Sequence, residues 1–218
     1  MRVLVVADEV DQRLWAHGAG DLAVDLVLGA GDLPFDYLEF LADAVNRPAV
    51  FVPGNHDPDL GGRSHRGLFL RSGFPQRWPG PPGWTNADGR VVDVAGLRIA
   101  GLGGSVRYNL GPNQWTQAQQ TRRARRLVRE AERKRRKDSR GVDILLTHAP
   151  PRGLGDREDP PHHGFECLQW TIERLGPEWL LHGHIHPYGE RTPDRRVGGT
   201  RIRNVVGRQI LELDGVRA

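Results

Sequence analysis

Residues 49–57 read AVFVPGNHD, a short apolar run that stops at a proline and a glycine and then presents an amide, an imidazole and a carboxylate in succession. The same pattern recurs along the chain. Val3–Val6 precedes Asp8, Val24–Leu28 precedes Gly31-Asp32, Ile144–Leu146 precedes His148, and Trp179–Leu181 runs into His182-Gly-His-Ile-His186. Continuously apolar runs of this length are strands buried on both faces, as in sheets covered by other layers. Polar residues at the ends of such strands collect along one edge of the sheet, where open α/β folds place their sites.

Between the strands lie segments with helical spacing. Phe35–Val45 puts Leu38, Leu41 and Val45 on one face, and Phe165–Leu175 does the same with Leu168, Ile172 and Leu175. Thr116–Lys137 opens with Thr116 and Gln119 at capping-box spacing and carries only a thin apolar stripe, so most of this helix stays solvated. Gly73–Gly83, with Pro75, Pro79, Pro81 and Pro82, reads as an irregular surface loop. Val91–Val94, Ile99–Gly101, Thr200–Val206 and Gln209–Leu213 read as further strands, the first two joined by a turn at Ala95-Gly96. The 28 glycines and 16 prolines fit many tight connections between short elements. No repeat or boundary interrupts the pattern, so a single layered α/β domain over residues 1–218 is expected.

The N-terminal sequence MRVLVVAD has no room for a signal-peptide apolar region, and no later apolar run has the length of a membrane span. A soluble, cytoplasmic protein with no membrane partner is expected. The lone Cys167 has no thiol partner for a disulfide and reads as buried filler. Net charge is +4, but residues 122–140 hold +8 of it, leaving −4 for the remainder. The basicity is therefore local.

The chemistry-bearing residues fall at the strand ends: Asp8, Asp32 in GAGDLP, Asn55-His56-Asp57 in VPGNHDP, His148 in LLTHAPP, and His184 and His186 in LLHGHIH. Any one strand-end aspartate is usually a cap or turn former. Together, in this order, they make a mixed oxygen and nitrogen donor set suited to metal. Residues two apart in a strand share a face, so His182, His184 and His186 could all point the same way.

The succession GD, GNHD, TH, GHxH resembles the calcineurin-like metallophosphoesterases from residue 3 to about 206. That resemblance implies an αββα sandwich of two central mixed sheets flanked by helices. It implies two divalent cations, Mn2+ first, with Fe, Zn or Mg as alternatives because the donor set does not discriminate sharply. It selects His184 and His186 from the three histidines. Asp32 would bridge the metals, Asn55, His148 and His184 would hold one, and Asp8 and His186 the other. His56 would protonate the leaving oxygen, or stabilise the transition state, and Asp57 would orient it. The activity implied is hydrolysis of a phosphomonoester or phosphodiester by in-line attack of metal-bound hydroxide, without a covalent intermediate.

One departure stands out. The family motif is typically Asp-x-His, whereas this chain reads Asp8-Glu9-Val10. Glu9 or a water could complete that shell, Tyr37 could reach in, or the site binds weakly. A weaker, water-completed site is the preferred expectation, with Tyr37 packing at the sheet edge. The same departure motivates the alternative of a metal-poor scaffold that retains the fold without turnover.

Softer candidates lie elsewhere. In Gly103–Asn109, Arg107 could offer a guanidinium to a substrate phosphate. His162-His163-Gly164, after the acidic loop Asp156–Asp159, could join a substrate rim. The arginine-rich helix 122–140 could bind nucleic-acid phosphates, as in a nuclease that processes ends, or could be a solvated face. It has no interleaved aromatics for base stacking.

Overall fold

The computed structural model describes residues 1–60, 69–71, 74–76, 80–189 and 193–213. In chain order the strands are β1 (Arg2–Ala7), β2 (Leu26–Gly29), β3 (Ala49–Phe51), β4 (Phe69–Arg71), β5 (Phe74–Gln76), β6 (Trp84–Asn86), β7 (Val91–Val94) and β8 (Leu97–Leu102). They continue as β9 (Ser105–Val106), β10 (Gln114–Trp115), β11 (Ile144–Thr147), β12 (Trp179–His182), β13 (Arg195–Val197), β14 (Thr200–Asn204) and β15 (Gly207–Glu212). Helices are α1 (Gln12–His17), α2 (Phe35–Val45), α3 (Gln117–Asp138) and α4 (Cys167–Leu175), with a 3-10 turn at Pro160–His162.

Two mixed sheets form the centre. One has the order β15-β1-β2-β3-β6 and the other β13-β14-β12-β11-β8-β7. In the first, β1, β2, β3 and β6 run parallel and β15 closes the edge antiparallel to β1. In the second, β8, β11, β12 and β14 are parallel, with β7 and β13 antiparallel at the edges.

Strand alternation assigns each apolar side chain to a layer. Val3, Val5, Leu26, Leu28, Val50 and Val52 meet Ile99, Ile144, Leu146 and Leu181 in the layer between the sheets. The intervening residues Leu4, Val6, Val27 and Phe51 turn outward against Tyr37, Leu38, Leu41 and Val45 of α2. On the far side, Ala100, Leu102, Leu145 and Leu180 pack against Ala124, Leu127, Val128 and Ala131 of α3 and Leu168, Ile172 and Leu175 of α4. Continuously apolar strands follow from this, because each face has its own cover. The molecule is the αββα sandwich expected from the resemblance.

Local chemistry sets the ends of these elements. Thr116 Oγ1 accepts from Gln119 N while the Gln119 side chain accepts from Thr116 N, so the capping box forms as spaced in the sequence. Ala95 and Gly96 both have positive φ, 50° and 81°, which suits the tight turn joining β7 to β8. Arg98, 2% exposed, is bonded to Asp93 and Asp138 and ties the turn end of that hairpin to the end of α3.

One expectation needs correction, and for Tyr37 the preferred alternative, packing, is what the structure shows. Gly73–Gly83 is not wholly irregular: Phe74–Gln76 pairs antiparallel with Phe69–Arg71 in a separate two-stranded ladder. Pro75 fits there because a two-stranded ladder leaves an edge side on which no N–H is needed. Tyr37 does not reach toward the metal ligands. It is fully buried, its ring stacked 5.2 Å from that of Trp15, and burial pushes its hydroxyl up to about 12.

Candidate metal centre

Asp8 lies just beyond β1, Asp32 beyond β2, Asn55 beyond β3, His148 beyond β11 and His184 beyond β12, so two sheets deliver their polar residues to one edge. Asp8, Asp32 and His184 hold φ values of 60°, 56° and 69°. A left-handed backbone costs L-residues energy, on the order of 1–3 kcal/mol at each such position, and tends to concentrate at functional sites. Two glycines make the approach possible. A Cβ on Gly54 would sit 2.0 Å from Asp32 Oδ1, and one on Gly183 would sit 2.2 Å from Asp8 Oδ2.

Asp32, His148 and His184 each offer a ligand atom within 4.8 Å of the others, the one such group among the described residues. His148 is fully buried, and its Nδ1 donates to the Ala30 carbonyl at 2.7 Å. Its Nε2 then faces Asp32 Oδ2 at 3.2 Å and Asn55 Oδ1 at 3.1 Å. Two acceptor oxygens around one ring nitrogen are compatible only with a proton on that nitrogen or with a cation among the three. His184 Nε2 donates to the Pro161 carbonyl at 2.7 Å, which leaves Nδ1 as its lone-pair nitrogen. A carbonyl behind each ring is the usual way a ligating histidine is oriented. The donors therefore fit a divalent cation.

The electrostatics agree. Burial alone would lower His148, but the carboxylate of Asp32, with Asp8 further off, raises it to about 10. Burial would raise Asp32, but the charge and hydrogen bond of His148 bring it down to about 2. Burial and the neighbouring His148 charge push His184 down to about 3, so it is a neutral ligand. Burial raises Asp8 to about 6 although it accepts from His184 N through both oxygens, at 3.1 and 2.9 Å.

His186 stands apart from the buried trio. Its Nδ1 is 3.0 Å from Glu9 Oε1, both side chains partly solvated, while Arg157 donates to its carbonyl. Val10, at the position of the family histidine, packs against the apolar cluster under α2. Beyond β12 the strand alternation does not continue: the strand ends at His182, and burial holds that imidazole neutral, at about 4.

His56 is exposed, and its backbone N donates to Asp32 Oδ1 at 2.8 Å. The Asp57 carboxylate is not bonded to the His56 ring among the described contacts. It accepts instead from Asp32 N at 3.0 Å and Gly54 N at 2.7 Å, pinning the ends of β2 and β3 together, and burial raises it to about 6. Asn113 clamps the same loop, its Nδ2 donating to the carbonyls of Gly54 and Asp57 at 3.0 and 2.9 Å. Arg107 turns away, to Gln114 O and Gln119 Oε1. The residue of that loop that meets the centre is Tyr108, whose hydroxyl accepts from Asn55 Nδ2 at 3.2 Å. Tyr108 belongs to the Gly103–Asn109 stretch, whereas no sequence pattern marks Asn113 or Pro161. His162 comes beside the centre, its ring 5.4 Å from that of His184 and its Nδ1 2.5 Å from Asp159 Oδ2.

A family model described as calcineurin-like phosphoesterase matches residues 2–188. A curated relative, UPF0046 protein T07D4.2 of Caenorhabditis elegans, is 42% identical over 48 residues. That match spans 21% of this chain and only 12% of the relative. Among solved structures, TT1561 of Thermus thermophilus superposes with a TM-score of 0.59 at 16% identity, over 92% of this chain and 87% of that one. A second solved structure gives 0.62 at 14% identity, over 96% and 94% of the two chains. At these identities the structural likeness speaks to the fold.

Proposed function

Because the chain belongs to the calcineurin-like phosphoesterase family, we propose that it is a metal-dependent hydrolase of a phosphomonoester or phosphodiester. The observation that carries this reading is His148 Nε2 facing Asp32 Oδ2 and Asn55 Oδ1 at once. Asp32, Asn55, His148 and His184 would hold one cation, and Asp8 and His186, aided by Asp32, would hold a second. Glu9, already at His186, is the side chain placed to supplement that poorer set. Manganese is the first choice of metal. Divalent cations bound there supply Lewis-acid polarisation of phosphoryl oxygens and lower the pKa of water. His56, exposed beside Asp32, donates a proton to the leaving oxygen, and Asp57 and Asn113 fix the loop that carries it. The reading includes a cytoplasmic setting and one functional domain; no helix among the described residues is long and apolar enough to cross a membrane.

The test is metal analysis of protein purified without chelator, followed by Mn2+-dependent hydrolysis of generic mono- and diesters. Bound metal and activity should both fall in His148→Ala and Asn55→Ala. His56→Ala should keep the metal and lose on the order of 10²–10⁴ in kcat. Absent metal, or turnover indifferent to His148→Ala, would sink the proposal. One observation favours a second reading, a scaffold without turnover: Val10 is turned into the apolar cluster and cannot ligate. Folded protein that binds no cation and hydrolyses nothing is the outcome that selects it.

A further inference from the structure

Helix α3 carries a run of arginines and lysines that the structure divides in two. Arg123 is bonded to both oxygens of Asp88 and lies over the Trp115 ring at 4.2 Å, and Lys134 pairs with Asp93 at 2.7 Å. The acids of the helix are committed as well, Glu130 to the backbone N of Val91 and Glu132 to Arg174 of α4. Arg122, Arg125, Arg126, Arg129, Arg133, Arg135, Arg136 and Lys137 remain exposed and without an acidic partner among the described residues, and five of them, Arg122, Arg126, Arg129, Arg133 and Arg136, share a face. Their spacing of four, three, four and three places them in one stripe opposite the buried residues Ala124, Leu127, Val128 and Ala131. At about 1.5 Å rise per residue the stripe is about 21 Å long. Arg126, Arg129, Arg133 and Arg136, with Glu132 at the side, line an open depression of about 360 Å³.

Like charges at these spacings work against the helix they sit on, so the stripe is not explained by folding. We propose that it is a binding surface for the phosphodiester backbone of nucleic acid. Charge complementarity points to a polyanion, and the −4 carried by the rest of the chain steers such a polymer onto this helix. No arginine of the stripe is buried, so it lacks the enclosed cradle that a single phosphate needs, whereas a polymer gains from every counterion it releases. An anionic membrane surface is disfavoured because Leu127 and Val128, the large apolar residues of α3, face inward and leave no bulky side chain to insert. The N-terminal end of the helix is bonded to loops flanking the metal centre, through Gln120 Nε2 to Gly103 O and Gln117 Nε2 to Gly164 O. A backbone lying on the stripe thus runs toward that centre.

Fluorescence anisotropy of labelled single-stranded and duplex oligonucleotides with the full chain tests this, with the probe checked intact afterwards. Binding should weaken steeply with salt. The Arg126→Gln, Arg129→Gln, Arg133→Gln triple variant should bind at least ~10-fold more weakly, with a salt slope reduced by about 2–3. Its thermal stability should be unchanged or higher. A control with the same charge loss elsewhere, Arg13→Gln, Arg90→Gln, Arg196→Gln, should keep wild-type affinity. No binding by the wild type at low salt, equal binding by the stripe variant, or equal loss in the control overturns the proposal, as does capture by phosphatidylserine vesicles without oligonucleotide binding. The measurement reads binding and not turnover, so it stands or falls apart from the hydrolytic reading.

Discussion

His148 concentrates the residue-scale behaviour of the centre. Its native pKa of about 10 exceeds the ordinary 6.5, so metal-free protein holds a proton there that the unfolded chain has released. That stabilisation is complete below about 6.5 and drains away as pH climbs through about 10. Asp32, held near 2 instead of 3.8, contributes above 3.8 and loses its contribution as pH falls through about 2. On the proposed reading a cation would take the place of the His148 proton, so its apparent affinity should rise with pH across the upper window. Melting curves from pH 6.5 to 9.5, with EDTA and with Mn2+, should separate progressively; a gap that does not change with pH contradicts the assignment. Gly54→Ala should leave a folded chain but force Asp32 out of place, weakening the metal by ~10–100-fold in titration calorimetry. The candidate donors were legible in the sequence because each ends an apolar run. The partners were not: Tyr108 and Asn113 reach the loop from positions 53 to 59 residues away, a closeness that only the folded sheets create. The Asp57 carboxylate, expected from the sequence to support His56, bonds backbone amides instead.

Among the helices, α3 reaches loops beside the centre with its N-terminal end. Thr116→Ala removes a cap that satisfies a backbone N–H at the start of that helix, and should cost about 1 kcal/mol. For a chain of this size that corresponds to a drop of roughly 2–4 °C in Tm. An unchanged Tm in calorimetry would show that Gln119 and the contacts of Gln120 hold the helix start without it. α2 and the long strands were read from the sequence with little error, since their apolar residues repeat at helix or strand period. β6, β9, β10 and β13 were not, and neither was α1. Each is six residues or shorter. The short strands exist because a neighbour supplies hydrogen bonds, as β3 does for Trp84–Asn86, rather than because of their own pattern. Strand alternation misled beyond β12, where the chain leaves the extended conformation and His184 adopts a left-handed backbone.

At the scale of the whole molecule, the apolar layer between the sheets contains side chains of both, so neither sheet keeps its core when the other leaves. Thermal unfolding should therefore be one transition, with calorimetric and van't Hoff enthalpies equal. Two resolved transitions would mean that the sheets melt separately. The general architecture was readable in the succession of strand-end motifs, but the pairing of β15 with β1 was not, because nothing local in residues 207–212 names a partner near residue 2. That pairing also has a history in time. β1 lies inside its sheet, bonded on one side to β2 and on the other to a strand made about 200 residues later, with Met1 N finally reaching Leu213 O. At synthesis rates of about 5–20 residues per second, β1 waits roughly 10–40 s on the ribosome with one ladder of N–H and C=O groups open. β1 is thus completed only by β15, and until then it is an exposed edge of the growing chain, the kind of surface on which nascent proteins pair wrongly with one another.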